Sequence, residues 1–542
     1  MVNRLNIIKG VAKEQQYLLP INVMEWLPEN DVVYVILAIL EMLDLSSFIA
    51  KYRSDGVGSA FYDPRCMLGI VIYAMIRGEH SSRKIEISCR YDIAYRIVAQ
   101  GLIPDHTTIF RFKQQNTQEI KGLFKQLAQI IVESGITRVG VIAIDGTKMG
   151  ANAALSANRK AKHIETELNR IFTESLKIDE QETTDGATPD ITQYNLPKDL
   201  ETLEKRKKVL LEAQTKLKER QDIAAKKQQE RIDEREKEEE ETGQKKRGRK
   251  LSEPLTSPAP DAKVNPTDPT SQVMSTSKGF IQGFNAQIVV TEDQFIISAS
   301  VTDAQNDKNQ LQPMMNEIDE FFSTVRTPGR PYAVVGDAGY YSAENMKSET
   351  LGGVQLFLAT SKERNFEDID ADSGFLTRLD KICRPLPNDC SPTIPELASI
   401  ATTVWQLFFD RDIPATQREI CKRIMDARVR SPTGRELYRK RKVMVEPVFR
   451  NIKHNMRFLR FSLKGKDKCD AEFSLAAISH NIVKIKCNKL FGKLHSSFSI
   501  NPPVRHNTDI FFQIVNSGRR LTHFLISLFY FDCIRSNQLS CA

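Results

Sequence analysis

Val139-Gly140-Val141-Ile142-Ala143-Ile144-Asp145-Gly146-Thr147 is the stretch whose reading decides the fold. A continuous apolar run rich in β-branched residues predicts a strand buried on both faces, as in a parallel sheet. Asp145-Gly146 closes that strand with a carboxylate at its C-terminal edge. A second run of the same kind, Tyr332-Ala333-Val334-Val335-Gly336-Asp337-Ala338-Gly339-Tyr340-Tyr341, ends in the same way. A strand-end aspartate on its own is more often a turn or helix-cap residue than part of a site. Two at matching places need a shared explanation.

Between and after these runs, Phe284–Val290 and Phe295–Val301 predict a hairpin around Thr291–Gln294. Helices are expected over Leu311–Phe322 and Ser342–Leu351, and a further strand over Val354–Ala359. The order strand, insert, strand, strand, helix, strand, helix, strand is that of a ribonuclease-H-like α/β fold. In that topology the first and fourth strands are neighbours, which would bring Asp145 and Asp337 together. Adjacent carboxylates repel unless a cation lies between them, and Mg²⁺ is the natural oxygen-liganded partner.

The insert, residues 151–278, has a different composition. Ile164, Leu168 and Ile171 form a helical stripe, and Leu203, Leu210, Leu217 and Ala224 recur every seven residues amid dense charge, a pattern for a helical hairpin or short coiled coil. Gln181–Pro197 and Glu238–Thr276 are polar and expected to be disordered. The second contains Lys245-Lys246-Arg247-Gly248-Arg249-Lys250. Its Arg247 and Arg249 suit a narrow minor groove, although a solubilising basic run is an equally good reading.

Residues 1–135 are expected to be helical: Val32–Leu43 behind Asp31, Cys66–Ile76 behind Asp63-Pro64, then Ser81–Ala99, with Arg83 and Lys84 among its basic residues. Asp105 is placed to cap a helix starting at His106, Thr107 and Thr108 and continuing through Arg111. Two short helices around a Gly101–Pro104 turn resemble a helix-turn-helix; a plain bundle with a solvated basic face competes with that reading.

The segment Tyr438–Lys464 carries Arg439, Lys440, Arg441, Lys442, Arg450, Lys453, Arg457, Arg460 and Lys464 around one acid, Glu446. Glu446 either neutralises its neighbours or ligands a metal beside a phosphate path. Pro447 suits a first helical position, so a helix is expected to start or kink at Glu446.

These blocks together resemble the DDE transposases of bacterial insertion sequences, IS4/IS5-like and of the IS1182 type. The resemblance rests on Tyr62-Asp63-Pro64-Arg65 with Ser81–Ile85 and Pro104–Ile109, Ile144-Asp145-Gly146-Thr147-Lys148, Asn265–Pro269 with Gly279–Gln287, Gly336–Ser342, and Tyr438–Lys453. The wider group's Tyr-Arg-Glu-Lys signature keeps its last spacing from Glu446 to Lys453. In its register, however, Arg439 and Lys442 fill the Tyr and Arg positions, and Tyr438 and Arg441 sit one residue early. Arg450 stands where a glycine is usual.

The resemblance implies an all-α N-terminal DNA-binding domain over 1–135 and a ribonuclease-H-like catalytic core over 136–150 and 279–490. The core is interrupted by a large helical insertion over 151–278 and followed by a tail over 491–542 that matches nothing. It implies Asp145, Asp337 and Glu446 as metal ligands for two Mg²⁺, with Mn²⁺ as a substitute, and DNA end cleavage followed by strand transfer. Expected DNA contacts are Lys148, Arg439, Arg441, Lys442, Arg450, Lys453, Arg83, Lys84, His106, Thr107, Thr108, Arg111, Arg247 and Arg249. The partners are double-stranded DNA, at element ends and target, and a second copy of the chain. The rivals are an inactive copy that only binds DNA and a nuclease of the same fold that does not join strands.

Composition agrees without deciding. The 542 residues allow about three to five domains at roughly 100–200 residues each. With 41% hydrophobic and 27% charged residues, wholly disordered and collagen-like chains are excluded. The formal charge of +8 permits an anionic partner without requiring one. Nine scattered cysteines without a CxxC pair point to reduced thiols. Met1–Gly10 lacks the apolar core of a signal peptide. Val32–Leu40 and Phe524–Phe531 fall well short of the roughly 20 residues that span a bilayer. A cytoplasmic, nucleoid-associated protein is expected.

Overall fold

The computed structural model of the chain describes residues 26–52, 61–184, 198–242, 251–342, 345, 354–360 and 422–488, apart from a few positions inside these ranges. It is a mixed α/β structure that divides into two compact units, residues 1–74 with 81–110 and 482–542, and residues 75–80 with 111–481.

The first unit is helical where described: α1 (Val32–Met42), α2 (Ser46–Ile49), most of α3 (Pro64–Arg77), α4 (Ser82–Tyr91), α5 (Ile93–Val98) and the start of α6 (His106–Gln115). Aspartates set its helix starts by accepting the free N–H groups of first turns. Asp31 accepts from Val33 N at 2.9 Å, and Asp92 from Ala94 N at 2.8 Å, which divides Ser81–Ala99 into two helices. Asp105 accepts from Thr107 N at 2.8 Å and Thr108 N at 3.1 Å. Gln100 and Gly101 between α5 and α6 adopt positive φ, so the short-helix, tight-turn, helix pattern is present.

The second unit begins with α7 (Thr117–Glu133) and is built on β1 (Val141–Gly150). The insertion follows: β2 (Arg159–Lys160), α8 (Ala161–Thr184), α9 (Lys198–Thr242) and β3 (Lys263–Val264), which pairs with β2. Ile164, Leu168 and Ile171 of α8 pack with Leu210, Ala213 and Leu217 of α9 and with Val264. The seven-residue stripe stops there. Ala224 is exposed, because the next turn bears Arg220, whose guanidinium donates to the carbonyls of Pro269, Thr270 and Ser271 rather than to a helical partner. Leu210→Ala should cost about 2–5 kcal/mol. Its signature is faster amide exchange confined to α8 and α9.

The sheet continues with β4 (Gln272–Thr276), β5 (Gly279–Thr291), β6 (Ile296–Thr302), α10 (Leu311–Thr324), β7 (Ala333–Gly336) and β8 (Gln355–Leu358). β1 lies between β5, to which it is antiparallel, and β7, to which it is parallel; β8 extends the parallel side. β4 and β6 pair with successive halves of β5. Val141, Ile142, Ala143 and Ile144 are fully buried, as a central strand covered on both faces requires.

Two expectations are corrected. The polar stretch Glu238–Thr276 is not wholly irregular. α9 runs to Thr242, and Gln272–Thr276 forms β4, because antiparallel pairing with the adjoining residues 279–283 needs backbone partners more than apolar side chains. Nor does a helix start at Glu446. α11 (Pro432–Arg450) starts fourteen residues earlier, behind Ser431, whose Oγ accepts from Gly434 N at 3.0 Å, and Pro447 lies inside it. Proline has no N–H for the carbonyl four residues back. Here that carbonyl, Val443 O, accepts instead from Gln294 Nε2 at the tip of the β5–β6 hairpin, at 2.9 Å.

After α11 a π-helical turn, Asn451–Asn455, leads into a segment that runs along the end of β1, with Phe461 N donating to Gly150 O at 2.8 Å. α12 (Lys466–Cys487) then covers the β6 edge: Asn481 bonds both N–H and C=O of Ile296, each at 2.9 Å, and Asp470 accepts from Val301 N at 2.8 Å. Side chains thereby satisfy an edge strand. No helix of the described residues is long and apolar enough to cross a membrane. Most of the helix expected over Ser342–Leu351, the Lys245–Lys250 run with Arg247 and Arg249, and the tail over 491–542 lie outside the described residues.

Candidate active site

The parallel register of β1 and β7 pairs Ile144 with Gly336, so the next residue on each strand is an aspartate. Asp145 and Asp337 therefore stand side by side at the C-terminal edge of the parallel pair. Asp337 is held by its turn, accepting from Gly339 N at 2.7 Å. Asp145 accepts from Gly146 N at 2.8 Å and from Arg441 Nη1 at 3.2 Å, across from α11. Burial pushes the Asp145 carboxyl up to about 6; Arg441 opposes that shift, and Asp337 and Asp307 add to it.

Asp307, in the loop between β6 and α10, is a third acid at this site. Its Oδ1 accepts from Asn285 Nδ2 at 2.6 Å and Gln287 Nε2 at 2.7 Å, two amides on one face of β5. Gln287 in turn accepts from the Tyr340 hydroxyl. A Cβ on Gly146 would press on the Gln287 amide and on Asp307 Oδ1, so a side chain there would displace this hydrogen-bonded pair. Tyr340 is fully buried; its environment and the three aspartates hold its hydroxyl far above the ordinary tyrosine range.

The basic residues separate into two groups. Lys148 lies inside the site, 4.0 Å from Asp307 Oδ1, with its buried Nζ lacking a hydrogen-bond partner among the described residues. Lys453 bonds Thr147 Oγ1 and, at 3.3 Å, Lys148 O. Burial lowers the pKa of both lysines. Arg439, Lys442 and Arg450 are exposed. In the first unit Arg83, Lys84 and Thr107 are exposed, whereas the His106 ring and backbone N–H are both engaged by Glu86 Oε2, and the Thr108 hydroxyl donates to Asp105. Arg111 is exposed.

Glu446 is exposed and is not among the groups acting on Asp145. Helical geometry gives the reason. Arg441 faces Asp145, and Tyr438, one turn before it, places its ring centroid 5.8 Å from the guanidinium. The residue that continues this face is Val445, which is fully buried; Glu446 is turned about 100° further round. Among the described residues, no three His, Cys, Asp or Glu side chains stand together as a ready metal cage.

Sequence reasoning missed Asp307, Asn285, Gln287 and Tyr340. Asn285 and Gln287 alternate with Phe284, Ala286 and Ile288, so a buried polar face on an apolar strand was the available signal. Asp307, in the polar run Asn306-Asp307-Lys308-Asn309, carried none.

The chain matches two protein-family models: the Transposase domain (DUF772) over residues 21–115 and the Transposase DDE domain over residues 258–482. The chain belongs to the DDE transposases. The pairing of these two domains is typical of the IS1182 family, and the protein is an insertion-sequence transposase. No curated protein and no solved structure matches the chain. A DDE transposase binds DNA and depends on divalent metal ions. The residues present fit such an ion. The donors are hard carboxylate oxygens, Asp145 resists ionising among them, and Asn285 Oδ1 is buried without a hydrogen-bond partner among the described residues.

Arg441 is the transposase's own counter-charge to Asp145. Arg441→Gln is expected to raise the pH at which Asp145 ionises above about 6, read by a carboxyl NMR titration of the metal-free protein. An unmoved titration would remove Arg441 from this role.

Proposed function

We propose that the transposase cleaves its element ends and joins them to target DNA with Asp145, Asp337 and Glu446 holding two Mg²⁺, for which Mn²⁺ can substitute. The reading is carried by the register that sets Asp145 and Asp337 at adjacent strand ends. Strand order supports a ribonuclease-H-like core, with β6, β5 and β1 in successive antiparallel pairs and β7 and β8 continuing parallel to β1. In this reading residues 151–278 form the insertion, residues 1–135 recognise the element ends, and two copies act together on paired ends.

Two ions held by such a site supply the charge that activates a water or 3′-hydroxyl and stabilises the leaving oxygen. The chain's own residues do the rest. Exposed Arg439, Lys442 and Arg450 bind backbone phosphates along α11. Arg441 keeps Asp145 in its charged form, and Lys453 ties α11 to β1 at Thr147. Glu446 joins the aspartates when DNA draws the exposed face of α11 to the site. Arg83, Lys84, Thr107 and Arg111, with His106 and Thr108 at the helix start, face the element end, and Arg247 and Arg249 contact it from the insertion.

The test is incubation of end-bearing DNA with Mg²⁺, scoring nicks and joined products for the unaltered chain and for Glu446→Gln. Metal-dependent nicks and joined products, both lost in the variant, are expected. Nicks without joining would make the protein a nuclease, and full activity in Glu446→Gln would take Glu446 out of the site.

A further inference from the structure

We propose that Asp307 is a metal-holding carboxylate of this site, facing Asp337 across Gly339. The inference rests on the metal-site reading above and adds a ligand to it.

Three observations converge. First, the two oxygens of Asp307 do different things. Oδ1 is fixed by Asn285 and Gln287, while no donor among the described residues reaches Oδ2. Second, Oδ2 lies near Asp337. A Cβ on Gly339 would meet Asp337 Oδ1 at 2.8 Å and Asp307 Oδ2 at 3.3 Å, so the two oxygens are no farther apart than those two distances laid end to end. Facing carboxylate oxygens repel, and a divalent cation relieves the repulsion. Third, Asn285 is fully buried, grips Asp307 through Nδ2, and leaves its own Oδ1 without a hydrogen-bond partner among the described residues. Mg²⁺ keeps several waters when bound to protein. Such waters donate to an orphaned amide oxygen, so a hydrated ion satisfies Asn285 Oδ1.

The loop position of Asp307 matters for the same reason. Asn285 and Gln287 lie on the strand paired with the Asp145 end of β1, Gly146 opposite Gln287 and Lys148 opposite Asn285. The sheet thus positions the third oxygen donor before DNA arrives, while Glu446 is still exposed on α11.

The experiment is a Mn²⁺ titration of the full-length protein without DNA, followed by electron paramagnetic resonance, for the unaltered chain, Asp145→Asn, Asp337→Asn and Asp307→Asn. Loss of even an outer partner of a metal ligand costs about 10–100-fold in affinity, so Asp307→Asn is expected to weaken Mn²⁺ binding at least about tenfold, as Asp337→Asn does. Weakening in Asp145→Asn and Asp337→Asn but not in Asp307→Asn overturns the proposal alone. Unchanged binding in all three variants overturns the underlying metal-site reading with it. If circular dichroism shows Asp307→Asn unfolded, Gly339→Ala decides. Its methyl lies against both oxygens, so weakened Mn²⁺ binding is expected, and binding equal to the unaltered chain overturns the proposal.

Discussion

Asp337→Asn is expected to reduce the rate of strand joining at least about a thousandfold, since a bound metal contributes several kcal/mol of transition-state charge stabilisation and each 1.4 kcal/mol is a factor of ten. The substitution is chosen for what it leaves alone. Asparagine has nearly the same shape, and its oxygen can still accept from Gly339 N, the bond that holds the turn after β7. What is removed is the negative charge beside Asp145. Initial rates of joined product from end-bearing DNA in Mg²⁺ measure the effect, with circular dichroism confirming the fold. A variant within tenfold of the unaltered enzyme would exclude Asp337 from the metal site.

The second large effect is on stability and has the opposite sign. Burial raises the Asp145 carboxyl from its ordinary value of 3.8 to about 6 in the folded chain. The folded state therefore holds its proton more tightly than the unfolded state. Stability of the metal-free protein falls as pH rises from about 4 to about 6, and above that the buried charge costs roughly 3 kcal/mol. Arg441 reduces this cost without cancelling it. Asp145→Asn removes the charge, so in excess chelator at pH 8 the variant should be more stable by about 1–3 kcal/mol, and near pH 4 the two proteins should be nearly equal. Urea denaturation at the two pH values gives the comparison. A variant no more stable than the parent at pH 8 would show that Arg441 and the surrounding dipoles already compensate Asp145. Together the two expectations describe a residue pair whose charge disfavours the empty fold and serves the loaded one.

Much of this was legible because it depends on local pattern. A β-branched run ending in aspartate marks β1 and β7 equally well, and alternation over Phe284–Val301 marks the hairpin. Leu210 and Leu217 recur at helical spacing and pack as that spacing requires, until Arg220 turns the helix to another task. The start of α11 was not legible, because Pro447 reads locally as a first-turn residue. Inside the helix, Gln294, distant in sequence, supplies the missing hydrogen bond to Val443 O.

By itself, then, the sequence determined which residues end buried strands in a carboxylate, where basic residues gather around Glu446, and which transposase blocks the chain carries. Those are properties of neighbours along the chain, and side-chain periodicity is enough to reveal them. Only the tertiary structure decided that Arg441 rather than Lys442 meets Asp145, that Glu446 is turned outward, and that Asp307 and Asp337 both bring an oxygen close to Gly339. Each depends on strand register or on the rotation of α11 about its axis. A shift of one residue would turn a side chain to the other face of a strand or about 100° around a helix, and packing between distant segments sets both.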